Sequence, residues 1–271
     1  MKKNVLVIVS EIWTGTAGAV KRSPVLLLPL LLTTMLDLFM LTLLYYVPRP
    51  PLRMVLGPLV GAGWGTRFLH YPVNFSLLPK LYTFSRHLFG SLAGVLITGI
   101  TLSLARSVIM KRRADIVFSF RKAVSRYWRL LGVWALVSGT LFSVSVMIDT
   151  FAGVNLHFSG RFTVIMIVKA FFVFSLPAVI INNRKVVSSL RYSIKVFSEY
   201  PAVSLMIVAL PGLLFIPLNY LHAALPHLKD TFYPETALYV LGARAVVVSA
   251  ADYLITLTAA LFLITVERGG R

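Results

Sequence analysis

The 271-residue chain is 58% hydrophobic and only 13% charged, with a mean hydropathy of +0.83, far from the roughly 25% charged content of a soluble domain. Its net charge of +18 is spread over short basic stretches between apolar runs, which suits anionic lipid headgroups and argues against nucleic acid. The lack of cysteine excludes disulfides, thiolate metal sites and a thiol nucleophile.

The chain opens on Met1-Lys2-Lys3 and a short apolar run that Glu11 interrupts. This is too short for a signal peptide and reads as a retained segment. Val5, Val9, Trp13 and Val20 form a weak helical stripe ending at Lys21, Arg22 and Pro24, which predicts an in-plane helix over residues 4–20. Six stretches then reach the ~20 apolar residues needed to cross ~30 Å of hydrocarbon: residues 24–47, 88–110, 130–148, 162–181, 203–220 and 246–266. They are continuous rather than alternating, so the predicted fold class is an all-α polytopic membrane protein, one membrane domain of six transmembrane helices. Pro29, Pro177, Pro211 and Pro217 fall inside spans and predict local kinks.

The first connector, residues 48–87, is the longest. Its stretch 54–65 carries Gly57, Gly61, Gly63 and Gly65, and with Pro58 this composition predicts a loose interfacial or re-entrant segment. The second half, residues 71–89, mixes Leu77, Leu78, Leu81, Tyr82 and Phe84 with Lys80 and Arg86, which predicts a helix lying flat on the outer surface.

Between the second and third spans, Ile116, Phe120, Val124, Tyr127 and Leu131 recur at helical spacing opposite Ser119, Lys122, Arg126 and Arg129. Val186, Leu190, Ile194 and Phe197 repeat the stripe before Pro201. Basic amphipathic interfacial helices are therefore predicted over 112–129 and 184–200. A surface helix, a sharp turn and a two-span hairpin recur three times from the same side, which suggests three parallel repeats. With the N-terminus inside, 18 of the 27 Lys and Arg lie on inner segments, so both termini are expected in the cytoplasm and the chain in the plasma membrane. Arg49, Arg53, Arg67, Lys80, Arg86, Arg161 and Lys229 remain outside.

In Phe174-Ser175-Leu176-Pro177-Ala178-Val179, Asn183-Arg184-Lys185, Ser188-Ser189-Leu190-Arg191-Tyr192-Ser193 and Lys21-Arg22-Ser23-Pro24, and in the order of its parts, the chain resembles an uncharacterised family of bacterial integral membrane proteins of the YciC type. That family is related to the membrane portion attached to some glycerophosphodiester phosphodiesterases. The resemblance implies a six-helix bundle with an unassigned membrane role. The phosphodiesterase portion has no counterpart in these residues, so its chemistry is not implied.

Charges inside spans cost about 2.5–3.5 kcal/mol each on insertion scales and need partners or a purpose. Asp37, Lys169 and Asp252 fall at similar depth in the first, fourth and sixth spans, with Arg244 near the start of the sixth. They are expected either to form an interhelical salt bridge that fixes helix pairing or to serve as a relay or polar substrate site. The cations expected to contact anionic lipid are Lys111, Arg112, Arg113, Arg121, Lys122, Arg126 and Arg129, then Arg184, Lys185, Arg191 and Lys195. His70, His87, His157, His222 and His227 all fall in outer segments without ligand spacing, so neither a metal nor a cofactor is expected. Ser138 and Ser143 have no neighbouring base, and no hydrolase motif is present. The expected role is a non-enzymatic membrane protein that organises anionic phospholipid or a membrane protein partner, ahead of a small permease using the charged cluster. An intramembrane lipid enzyme stands third.

Overall fold

A computed structural model describes residues 5–71, 73–110, 114–151, 158–225 and 233–269. Among the described residues the chain is helical, with no strand. Six helices are long and apolar enough to cross a membrane: Pro24–Tyr46, Val73–Ile109, Tyr127–Ile148, Gly160–Ile181, Pro201–Leu221 and Thr236–Glu267. The protein is an all-α polytopic membrane protein. Four of these agree with the apolar stretches to within a helical turn, whereas the second and sixth run well beyond theirs.

The elements in chain order are α1 (Val5–Arg22), α2 (Leu28–Tyr46), α3 (Leu52–Trp64), α4 (Val73–Phe89), α5 (Val95–Ile109), α6 (Ile116–Ser125), α7 (Tyr127–Phe151), α8 (Phe158–Phe172), α9 (Ser175–Ile181), α10 (Val186–Glu199), α11 (Pro201–Gly212), α12 (Phe215–Ala223) and α13 (Thr236–Gly269). The chain packs as two compact units. One comprises Met1–Leu30, Ser91–Leu213 and Ala251–Arg271, and the other Leu31–Gly90 and Leu214–Ala250.

Two expectations about the long connector are corrected. Residues 54–65 are not a loose segment but most of α3, a regular helix with Pro58 inside it. The proline is tolerated because it sits in the second turn, where the carbonyl it leaves unpaired belongs to the exposed Met54. Gly65, at φ +81°, ends the helix, and its N–H bonds the Gly61 carbonyl. Residues 71–89 do not form a separate flat helix either. α4 runs through a single π turn, Gly90–Gly94, into α5. Its stripe of Phe75, Leu78, Leu81 and Tyr82 is buried with Leu41, Leu44, Phe68 and Leu241 in the core of the second unit. Lys80 and Arg86 end the apolar window without interrupting the backbone hydrogen bonds, so a hydropathy reading stops before the helix does.

In the larger unit, Leu26, Leu102, Leu104, Leu130, Phe174, Ile180, Ile207 and Leu257 are among the buried core. Phe262 lies 5.4 Å from both the Phe174 and Tyr200 rings. Each of the three segments ends at a break leading into a span: α1 at Ser23, α6 at Arg126 and α10 at Tyr200. α6 and α10 rest on the helices before them through small side chains, and α1, the first helix, packs against α5 and α11. In α6 the buried residues are Ser119 and Ala123, with Ala123 facing Gly99 of α5. In α10 they are Ser189, Ser193 and Val196, against α9. In α1 they are Val9, Ile12 and Thr16, and Gly15 faces Leu261 of α13. A Cβ on Gly99 would come within 2.8 Å of Leu130 and 3.0 Å of Ala123, and one on Gly15 within 3.0 Å of Leu261. These close approaches are what small residues provide where helices meet in lipid.

Candidate functional site

The chain presents two groups of residues able to act on something outside themselves: the cations of the surface helices and the charges inside the spans. α6 starts on Asp115, whose carboxylate accepts the Phe118 N–H at 3.0 Å. With Ser119 and Ala123 turned to the protein, α6 leaves Ile116, Val117, Phe118, Phe120 and Val124 exposed, together with Arg121. Trp128 is exposed at the start of α7. On α10, Val187 and Ile194 are exposed beside Arg191 and Lys195, and Lys185 is exposed just before the helix. Apolar side chains and cations share one outward surface, the composition of a helix lying at a headgroup boundary.

Not all the basic residues are directed outward. Arg126 Nη1 donates to the carbonyls of Val179 and Ile180 at 2.9 Å each, closing the C-terminal turn of α9. Burial, with repulsion from Arg129 and Arg106 added, lowers the Arg126 pKa from its ordinary value, although arginine stays charged. Arg129 Nη1 donates to Asn183 Oδ1 at 3.2 Å. Asn183 takes the left-handed conformation, φ 55°, that ends α9. Arg184 stacks 4.1 Å over the Tyr192 ring, whose phenol is pushed up by burial and then by Glu267. Lys195 lies 3.9 Å from Glu199 one turn on. Lys122 stands 6.0 Å over the Phe118 ring. Lys111, Arg112 and Arg113 lie outside the described residues.

A hydroxyl from the same surface region repairs a span. The fourth span breaks between α8 and α9, where Pro177 lacks an N–H. Ser193 of α10 donates to the Phe171 carbonyl at 2.7 Å and accepts the Phe174 N–H at 3.1 Å. Both groups belong to the interrupted turn and would otherwise be unpaired in a dry interior. Tyr127 at the start of α7 likewise donates to the Leu92 carbonyl in the π turn, at 3.1 Å.

The intramembrane charges divide between the two units. Lys169 is half-buried on α8 and Asp252 is exposed on α13, both in the larger unit, whereas Asp37 and Arg244 belong to the smaller. The ion-pair partner of Asp37 is Arg86, which sequence alone places in the outer connector. Arg86 Nε donates to Asp37 Oδ2 at 3.1 Å, and Ser249 Oγ donates to the same oxygen at 2.9 Å. The two side chains are 27% and 13% exposed, so much of the solvation they lose is replaced by the pair and the hydroxyl. The signal for Arg86 is present in the sequence. Phe75, Leu78 and Tyr82 lie on one helical face, and Arg86 continues it four residues on.

Arg244 is half-buried and makes no hydrogen bond or ion pair among the described residues. It lines a cavity of about 90 Å³ together with Tyr82, Thr83, Arg86, His87, Leu241 and Ala245, all of the smaller unit. That is several times the ~10–15 Å³ that holds one water. His70 and His87 are exposed, and among the described residues no three His, Asp or Glu side chains gather as metal ligands. His157 and His227 lie outside the described residues. Comparison of the chain with protein-family models, curated proteins and solved structures finds no match.

Proposed function

We propose that the protein is a non-enzymatic platform in the plasma membrane. In this reading its surface helices bind anionic phospholipid headgroups on the cytoplasmic side, and its bundle organises lipids or a membrane protein partner. The observation that carries the reading is the face α6 turns outward: Ser119 and Ala123 are buried, while Val117, Phe118, Phe120 and Val124 are exposed next to Arg121. Exposed beside cations, they suit insertion to the level of the headgroups, where each Lys or Arg contributes about 1 kcal/mol with anionic lipid.

The test is lipid retention by the purified protein in mixed micelles of phosphatidylglycerol and phosphatidylcholine. Replacing Arg121, Arg191 and Lys195 by Gln is expected to lower retained phosphatidylglycerol by about tenfold or more in low salt, with a much smaller difference near 1 M salt. Equal retention by the triple variant and the parent chain overturns the proposal. The permease is the second reading, favoured by the half-buried Asp37–Arg86 pair within the spans.

A further inference from the structure

The smaller unit keeps an unbalanced positive charge inside its spans. Asp37 neutralises Arg86 through Nε and Oδ2, which holds that guanidinium in place and leaves its two terminal nitrogens without a protein partner among the described residues. Arg244 lines the same cavity with no carboxylate partner among the described residues. Tyr82 lines the same cavity. It is 3% exposed, and its hydroxyl is buried with no hydrogen-bond partner among the described residues, a state that buried phenols rarely keep. At the rim, Thr83 Oγ1 donates to the Pro79 carbonyl at 2.8 Å, and the exposed His87 Nδ1 donates to the Thr83 carbonyl at 2.7 Å.

We infer that this cavity binds a phosphoryl oxyanion, held by Arg86 and Arg244 with the Tyr82 hydroxyl as a third donor. Two planar guanidinium forks and a phenol supply more donors than the two oxygens of a carboxylate can accept. A phosphoryl group presents three oxygens and takes bidentate arginine on more than one edge. Its charge would offset that of Arg244, which nothing else described in the unit does, and would give the Tyr82 hydroxyl an acceptor. Asp37 and Ser249 act as positioning residues by fixing Arg86. The oxyanion has two sources of the same chemistry, a free phosphate or the phosphomonoester headgroup of a lipid such as phosphatidic acid, and neither depends on the basic surface helices.

Purified protein in a nonionic micelle is titrated by calorimetry with inorganic phosphate and, separately, with dihexanoyl phosphatidic acid. Saturable binding of either is expected. Arg244→Gln should weaken it at least about tenfold, and Tyr82→Phe, which removes one oxygen from an otherwise apolar position, by about fivefold. The Gln variants of Arg121, Arg191 and Lys195 should leave phosphate binding unchanged. Phosphate binding lost in Arg244→Gln identifies a free anion as the ligand. Lipid binding lost in Arg244→Gln without phosphate binding in the parent chain identifies a headgroup. No saturable binding of either probe, or binding undiminished in Tyr82→Phe and Arg244→Gln, overturns the inference. Should Arg244→Gln fail to fold, Tyr82→Phe alone decides.

Discussion

α4 and α6 are both amphipathic helices, each carrying cations beside a run of large apolar side chains, and they bury opposite faces. α4 places Phe75, Leu78, Leu81 and Tyr82 in a protein core. α6 buries Ser119 and Ala123 and leaves Phe120 and Val124 outside. In water the larger apolar face would win both contests. In a membrane the lipid tails are as apolar as leucine, so close packing decides the face a helix turns inward. Gly99 offers α6 a surface with no side chain, on which Ala123 sits close. The wall offered to α4, built from Leu41, Leu44 and Leu241, has room for rings and branched chains.

The sharpest way to break this contrast is at its largest buried ring. Phe75, 1% exposed, should cost about 3–5 kcal/mol on replacement by Ala, towards the lower end because lipid is the alternative environment. Phe120→Ala, removing a ring that is 46% exposed, should stay within about 0.5 kcal/mol. Urea or thermal unfolding in micelles measures both, and equal losses would erase the distinction between the two helices. Next in size is the seam under α6. Gly99→Leu drives a side chain into Leu130 and Ala123 and should destabilise by about 1–3 kcal/mol, with faster proteolysis at α6 than at α4. A variant as stable and as protected as the parent would show that α6 does not need the close approach. Among the buried positions the smallest effect is expected at Ser193→Ala. It leaves the Phe174 N–H and Phe171 carbonyl unpaired at the break in the fourth span, at a cost towards the lower end of about 1–3 kcal/mol. Hydrogen exchange at Phe174 should quicken more than at the core of α13, and unchanged exchange there would show that the break is satisfied by other means.

Much of the fold was legible because it follows from one-dimensional quantities. A run of ~20 apolar residues is a property of the chain, and so is the spacing that marks α6 and α10 as helices. The misreadings came where a boundary depends on a partner. Lys80 and Arg86 made α4 look like a surface segment, yet Arg86 belongs inside because Asp37 and Ser249 receive it. Pro58 made α3 look irregular, although a proline in an early turn disturbs only a carbonyl that α3 leaves exposed. Among the candidate site residues, Asp37 and Arg244 stood out as charges in apolar runs, but the two acids and two bases of the expected cluster divide between separate units. Arg126 looked like one more headgroup contact, and its role in closing α9 depends on carbonyls more than fifty residues away.

The amino-acid sequence by itself determined that this chain lives in a bilayer, where its helices lie along the chain, and which segments carry the positive charge, because hydropathy, helical period and charge are read residue by residue. Tertiary structure alone decided which face each amphipathic helix turns inward, that Asp37 is paired with Arg86, and that Arg244 and Tyr82 are left around one cavity without hydrogen-bond or ion-pair partners among the described residues. Those outcomes depend on the shape and donors of a second helix distant in sequence, and no local pattern encodes them.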